Sequence, residues 1–175
     1  MKEIGELGPQ FASVDLVVFD FDGVFTDNKV LVSQDGIESV TCWRSDGLGL
    51  SRLASAGVHL AIVSTEANKV VSVRAQKLGL LCVHGVADKG MAVRELCRKH
   101  SVSAGNTMYV GNDINDIPAF DAVGWPVAVA DAHAEVYQHV LCRTTKPGGG
   151  GAVREICDLI YRARTDAGEG ISHGS

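Results

Sequence analysis

Val14-Asp-Leu-Val-Val-Phe-Asp-Phe-Asp-Gly-Val-Phe-Thr-Asp27 is the stretch whose reading decides the fold. An apolar, β-branched run ends in two carboxylates, Asp20 and Asp22, one residue apart, and then a glycine. Side chains alternate across a strand, so these two carboxylates point the same way. Side by side at the end of an apolar strand they repel each other and lose hydration. A cation belongs between them, and a divalent metal is the simplest choice.

Outward from this run, short apolar segments alternate with amphipathic ones, the pattern of a parallel sheet with crossover helices. Strands are predicted at 14–19, 58–63, 80–83, 107–110 and 126–129. Helices are predicted at 47–56, 67–78, 89–100, 116–123 and 152–162, with Asp88 and Asp113 placed to begin or precede theirs. The fold class is α/β, a doubly wound, Rossmann-like parallel sheet. One segment breaks the rhythm: 29–32 and 37–42 flank Gln34-Asp-Gly36, a β-hairpin signal. The hairpin (about 28–43) is thus inserted after the first strand, at the mouth of any site there. Residues 1–163 are expected to form a single domain and 164–175 a disordered tail.

Composition narrows the function. The chain has 175 residues, 46% hydrophobic, enough for a sizeable core, and a net charge of −5, which argues against a nucleic-acid partner. The N-terminus lacks the apolar segment of a signal peptide, and no apolar run reaches membrane-spanning length, so no membrane association is expected. The five cysteines are scattered, without a metal-ligand spacing, which fits a reducing cytoplasmic setting.

Four features fall at successive strand ends, where open α/β sheets bind ligands. They are Asp20-x-Asp22, Ser64-Thr65, Lys89, and Gly111-Asn-Asp-Ile-Asn-Asp116. Together they supply what phosphoryl transfer through an aspartyl-phosphate requires. Asp20 is the candidate nucleophile, Asp22 the general acid and base, and Mg²⁺ the cofactor that offsets repulsion between anions. Ser64 and Lys89 are candidates for binding the remaining phosphoryl oxygens.

FDFDGVFTD, IVST, ADK and GNDIND, in that order, resemble the four motifs of the haloacid dehalogenase-like phosphatases. The likeness covers roughly 14–162. The hairpin, Asp46-Gly-x-Gly49 and the ending Gly148-Gly-Gly-Gly-Ala-Val-Arg-Glu155 narrow it to capless members. These are the 3-deoxy-D-manno-octulosonate (KDO) 8-phosphate phosphatases and the related nonulosonate (KDN, sialic acid) 9-phosphate phosphatases. The resemblance implies a homotetramer whose hairpins assemble into a barrel and whose neighbouring subunits cover each site. It implies substrate contacts from Asp46, Gly47, Thr65, Glu66, Arg74 and Lys77. Glycines 148–151 read equally as a mobile arm or a plain linker.

Departures from the family pattern bear on substrate and metal. Ser64-Thr65-Glu66 puts an acid where the KDO group resembles T-G-R, Arg74 keeps a basic position, and Lys77 adds a charge. That combination is similar to the nonulosonate branch, so a nonulosonate 9-phosphate is the expected substrate and KDO 8-phosphate the alternative. Gly150 stands where related chains carry a charge. Asn112 stands where the family usually has an aspartate metal ligand. Asp20, Asp22 and Asn112 are the expected ligands, with Asp113 the alternative to Asn112, and Asp116 orients Lys89 or a metal-bound water. A response-regulator receiver would place its acceptor aspartate where this chain has Ser64-Thr65. A non-catalytic oligomerising partner of a sialic acid cytidylyltransferase could dispense with Asp20 or Asp22, yet both are present.

Overall fold

The computed structural model describes residues 2–169. The chain enters through a short strand, β1 (Lys2–Glu3), and a 3₁₀ helix, Ile4–Ser13. The 14–27 run then yields a fully buried strand, β2 (Leu16–Phe19). Crossover units follow: α1 (Asp46–Ser55), β5 (His59–Val63), α2 (Lys69–Leu78), β6 (Leu81–Val83), α3 (Lys89–His100) and β7 (Thr107–Gly111). The chain finishes with α4 (Ile117–Phe120), β8 (Trp125–Ala128), β9 (Cys142–Arg143) and α5 (Ala152–Glu169). Between β2 and α1 lies a separate antiparallel pair, β3 (Leu31–Val32) and β4 (Glu38–Ser39).

The main sheet has seven strands in the order β1-β9-β8-β7-β2-β5-β6, every pairing parallel. β2 lies at its middle, with Phe19 opposite Ile62 on one side and Val110 on the other. The period-two alternation divides the core into two layers. Val17 and Phe19 pack with Leu50 and Leu53 of α1, Val71 of α2, and Ile156 and Ile160 of α5. Leu16 and Val18 pack with Val93 and Leu96 of α3 and Phe120 of α4. The expected doubly wound sheet with a hairpin after its first long strand is therefore what forms.

Local chemistry fixes the helix ends. Asn68 caps α2 by accepting from Val70 N–H (3.1 Å), and Gly79 closes it at φ 70°. Asp88 caps α3 through Met91 N–H (3.0 Å). The caps at Asn68 and Asp88 fix the loops after β5 and β6 at one edge of the sheet, where the site assembles with the loops after β2 and β7.

Three expectations need correction. The hairpin pairs over a shorter span than expected, because Val30, Leu31, Val32 and Ile37 point into solvent at 52–74% exposure with nothing to pack on. The helix expected at 116–123 is a 3₁₀ turn, Ile114–Asp116, followed by the single turn of α4. Residues 164–169 are helical, not a loose tail: Arg164 donates to the Val14 carbonyl (2.8 Å) and pairs with Asp15 (3.0 Å). The last six residues of that expected tail lie outside the described residues. The N-terminal segment is also structured, with Ile4, Leu7 and Phe11 buried against α5.

Candidate active site

Asp20 follows β2 directly and is almost fully buried; its N–H donates to the Val110 carbonyl of β7 (2.9 Å). Its two carboxylate oxygens meet different partners. Oδ1 takes the Lys89 ammonium at 2.8 Å. Oδ2 faces the Asn112 amide, which with its nitrogen inward donates to Oδ2 (3.2 Å) and to the main-chain oxygen of Asp22 (2.9 Å). Gly23 follows at φ 77°, a left-handed conformation that lets the chain turn back beneath Asn112 with no room for a Cβ.

Lys89 is 1% exposed and sits between Asp20 and Asp116, 2.6 Å from Asp116 Oδ1. Asp116, fully buried, accepts at Oδ1 from Lys89 and from Tyr109 Oη (2.6 Å), and at Oδ2 from the N–H groups of Asn112 (2.8 Å) and Asp113 (3.2 Å). Burial, then the Asp116 charge, pushes the Asp20 carboxyl up to about 7, against the pull of Lys89. Burial also opposes the Lys89 charge, but Asp20 and Asp116 outweigh it and raise the ammonium. Two carboxylates thus share one buried cation, and one negative charge is left over.

That balance tests the fit of a divalent ion. Among the described residues no set of three His, Cys, Asp or Glu clusters as ligands. The donors that do converge are an Asp20 oxygen, the Asp22 carbonyl and the Asn112 amide. Asp20 and Asp22 present oxygen as they stand, and Asn112 does so when its amide turns the oxygen rather than the nitrogen inward, which gives the donor type that Mg²⁺ takes, with a surplus negative charge that suits a cation. The residues fit the ion.

Asp20, Asp22, Ser64, Thr65, Asn112 and Asp113 line one cavity of about 310 Å³, closed at its rim by Asn28, Ile114 and Asn115. Ser64 follows β5 directly and is 1% exposed, its Oγ accepting from Glu66 N–H (3.0 Å). Asn115 reaches across to Thr65 Oγ1 (3.4 Å) and so ties the second strand-end loop to the fourth. Asp113 turns its carboxylate onto Ile114 N–H (2.7 Å), a capping contact, so the residue brought to Asp20 is Asn112. The Asp22 carboxyl is raised by burial first, then by Glu66 and Glu38, with Lys89 opposing. A group that must arrive protonated at a leaving oxygen gains from that shift.

The remaining expected substrate residues lie elsewhere. Glu66 lines an adjoining cavity of about 300 Å³ with Glu38 and Asn68, which shares Asp22 and Asn28 with the first. Gly47, Arg74 and Lys77 line a third, apolar groove with Trp43 and Leu48 that has no lining residue in common with the catalytic cavity. Asp46 lines none of these three cavities. It is buried at the start of α1 and accepts from Arg154 N–H (3.2 Å) in the first turn of α5. Among the described residues its Oδ2 has no hydrogen-bond partner, and burial raises its carboxyl to about 6. Within one chain Asp46 is therefore a cap on a distant helix.

Two residues of the site, Tyr109 and Asn28, escaped the sequence reading, and Asn115 lay within a quoted motif without an assigned role. Asn28 adopts φ 61°, a conformation asparagine tolerates, and the Asp27-Asn28 pair opening the hairpin was the available signal.

Comparison with known proteins shows which family this fold belongs to. Residues 61–156 match the haloacid dehalogenase-like hydrolase family. The 3-deoxy-D-manno-octulosonate 8-phosphate phosphatase of Salmonella typhi is 33% identical over 153 residues, 87% of this chain and 81% of that protein. A HAD family hydrolase structure from Streptomyces avermitilis is 46% identical with a TM-score of 0.82, covering 84% of each chain. The 3-deoxy-D-manno-octulosonate 8-phosphate phosphatase of Moraxella catarrhalis, solved with magnesium, phosphate and KDO, is 29% identical with a TM-score of 0.87 over 99% of this chain and 100% of that one. On a family match over more than half of its length and a relative one-third identical over most of both chains, the chain belongs to the haloacid dehalogenase-like hydrolases and is a phosphoric monoester hydrolase.

Proposed function

We propose that this chain is a Mg²⁺-dependent phosphatase of phosphorylated 2-keto-3-deoxy sugar acids, with KDO 8-phosphate as substrate. The observation that carries the reaction is the division of Asp20, Oδ1 on Lys89 and Oδ2 at the Asn112–Asp22 cradle. The substrate rests on relatives spanning most of the chain that bear that activity in their names. This reverses the order expected from Glu66, Arg74 and Lys77, which favoured a nonulosonate 9-phosphate.

Asp20, the Asp22 carbonyl and Asn112 would hold the Mg²⁺, which supplies charge neutralisation between the nucleophile and the phosphoryl oxygens. Asp20 attacks phosphorus while Asp22 gives its proton to the departing alkoxide, leaving an aspartyl-phosphate. Asp22 then takes a proton from the water that hydrolyses it. Lys89 and Ser64 bind the phosphoryl oxygens, and Asp116 holds Lys89 in place.

A homotetramer completes this reading. The catalytic cavity and the Arg74–Lys77 groove are separate within one chain; of the exposed apolar residues of the hairpin segment, Val30 lines the cavity adjoining Asp22 and Trp43 lines the groove. A neighbouring copy would bring the two together. One observation keeps the nonulosonate substrate as a second reading: the cavity adjoining Asp22 is walled by Glu38 and Glu66. Such a wall repels a carboxylate and accepts hydrogen bonds from the hydroxyl or amide groups of a longer sugar acid.

The test is kcat/KM on KDO 8-phosphate, KDN 9-phosphate and N-acetylneuraminate 9-phosphate side by side with saturating Mg²⁺. Preference for KDO 8-phosphate is expected; a clear preference for either 9-phosphate overturns the first reading in favour of the second. Asp20→Asn is expected to lose at least about a thousandfold in kcat.

A further inference from the structure

The glycine run at 148–151 is neither a mobile arm nor a slack linker. Gly148 N–H donates to Asp131 Oδ1 (2.8 Å), and Gly149 N–H donates to the Val24 carbonyl (3.0 Å). A Cβ on Gly148 would overlap the Gly23 carbonyl, and one on Gly149 would overlap the main chain at Thr26–Asp27. The loop backbone therefore lies flush against the turn at 23–27, a contact only glycine permits. On the far side of that turn, Gly23 is pressed against the Asn112 amide. The turn that begins at Asp22 is thus clasped between two distant segments.

The clasp is itself anchored. Thr144 Oγ1 donates to the Lys146 carbonyl (2.6 Å) and accepts from Ala130 N–H (3.0 Å). The Glu155 carboxylate accepts from the N–H groups of Thr145 and Lys146, at 3.0 Å each. So the loop is tied to the end of β8 on one side and to α5 on the other, and among the described residues Asp131 is the one side chain that hydrogen-bonds to its glycine backbone.

We infer that Asp131, through Gly148 and Gly149, is a positioning residue for Asp22 as general acid. The inference rests on the phosphatase reading. In the step concerned, an Asp20 oxygen forms a bond to phosphorus, the bond from phosphorus to the leaving oxygen breaks, and the proton of Asp22 goes to that oxygen. A turn free to shift would carry the Asp22 carboxyl away from the leaving oxygen while Asp20, on β2, stays in place.

The experiment measures kcat/KM for wild type, Asp131→Ala, Asp131→Asn and Gly148→Ala. One substrate is whichever of the three sugar-acid phosphates the wild type turns over fastest; the other is p-nitrophenyl phosphate. A sugar alkoxide needs the proton, whereas p-nitrophenolate leaves without one. The ratio kcat/KM covers only the steps through formation of the aspartyl-phosphate, so the later role of Asp22 as base does not enter. Asp131→Ala is expected to lose on the order of tenfold on the sugar-acid phosphate and less than about twofold on p-nitrophenyl phosphate. Asp131→Asn, which keeps an oxygen for Gly148 N–H, is expected to recover most of that loss. Equal loss on both substrates, no loss on either, or an Asn variant as impaired as the Ala variant overturns the inference. Gly148→Ala is expected to repeat the selective loss more severely; if it does not fold, Asp131, an exposed side chain, decides alone. A wild type that hydrolyses neither ester refutes the phosphatase reading and this inference with it. Hydrolysis of both with an indifferent Asp131 refutes the inference alone.

Discussion

Four donors converge on Asp116: Lys89, Tyr109 and two backbone N–H groups. A buried carboxylate so fully paired cannot swing toward or away from Lys89, and Lys89 in turn is held at Asp20. Tyr109 is the one of the four that can be removed without touching backbone or charge. Tyr109→Phe keeps the edge-on contact with Phe120 and frees Asp116 to pull harder on Lys89. Steady-state assay is expected to show kcat lower by about three- to tenfold, with a modest loss of melting temperature. Tyr109 was not legible in advance, because a tyrosine within Met108-Tyr-Val110 reads as strand core and its hydroxyl contact is made by the fold. Asp20, Ser64, Lys89 and Asn112 were legible because each is a polar residue directly after an apolar strand or at a helix start. Asp46 shows a residue-scale effect of another kind. Its carboxyl, raised to about 6, binds its proton more tightly in the folded chain than in the unfolded one. It therefore favours folding below about pH 4 and disfavours it progressively as pH rises through 6. The melting temperature of Asp46→Asn relative to wild type is expected to climb from pH 4 to pH 7, a gain on the order of 3 kcal/mol.

At the scale of elements, α1 and α5 explain why Asp46-Gly-x-Gly49 is built as it is. Asp46 caps α5, and Gly49 lets the two helices meet: a Cβ there would lie 2.7 Å from Arg154 Cδ and 3.0 Å from Cys157 Cβ. Alanine for Gly49 gains up to about 1 kcal/mol of helix propensity but forces overpacking that costs about 1–3 kcal/mol. Packing wins, and Gly49→Ala is expected to lower stability by about 1–2 kcal/mol in denaturant unfolding. The motif was visible in the sequence, but its packing role was not, because spacing says nothing of which distant helix fills the gap. The same limit hid β1, β9 and the end of α5. Strands of two residues carry no periodicity, and Arg164 finds its acceptors at Val14 and Asp15. The five longer strands, by contrast, were legible as apolar runs, since burial on both faces leaves no polar position to interrupt them.

For the whole molecule, the hairpin is the feature the single chain leaves unfinished. Val30, Leu31, Val32 and Ile37 expose apolar surface on a two-stranded ribbon, an arrangement marginal in isolation. Light scattering is expected to find a tetramer, and a double change of Leu31 and Ile37 to glutamate is expected to shift it to smaller species with loss of sugar-acid phosphate turnover. The parallel topology has a further consequence, in the order of synthesis. β2 and the turn bearing Asp22 are among the first segments to leave the ribosome, and Asp20 waits for β5 and β7 on either side. The Val24 carbonyl waits longer still, for Gly149, which follows almost every other element of the fold. In the growing chain the strand that leads into Asp20 is therefore in place before the turn bearing Asp22 is clasped.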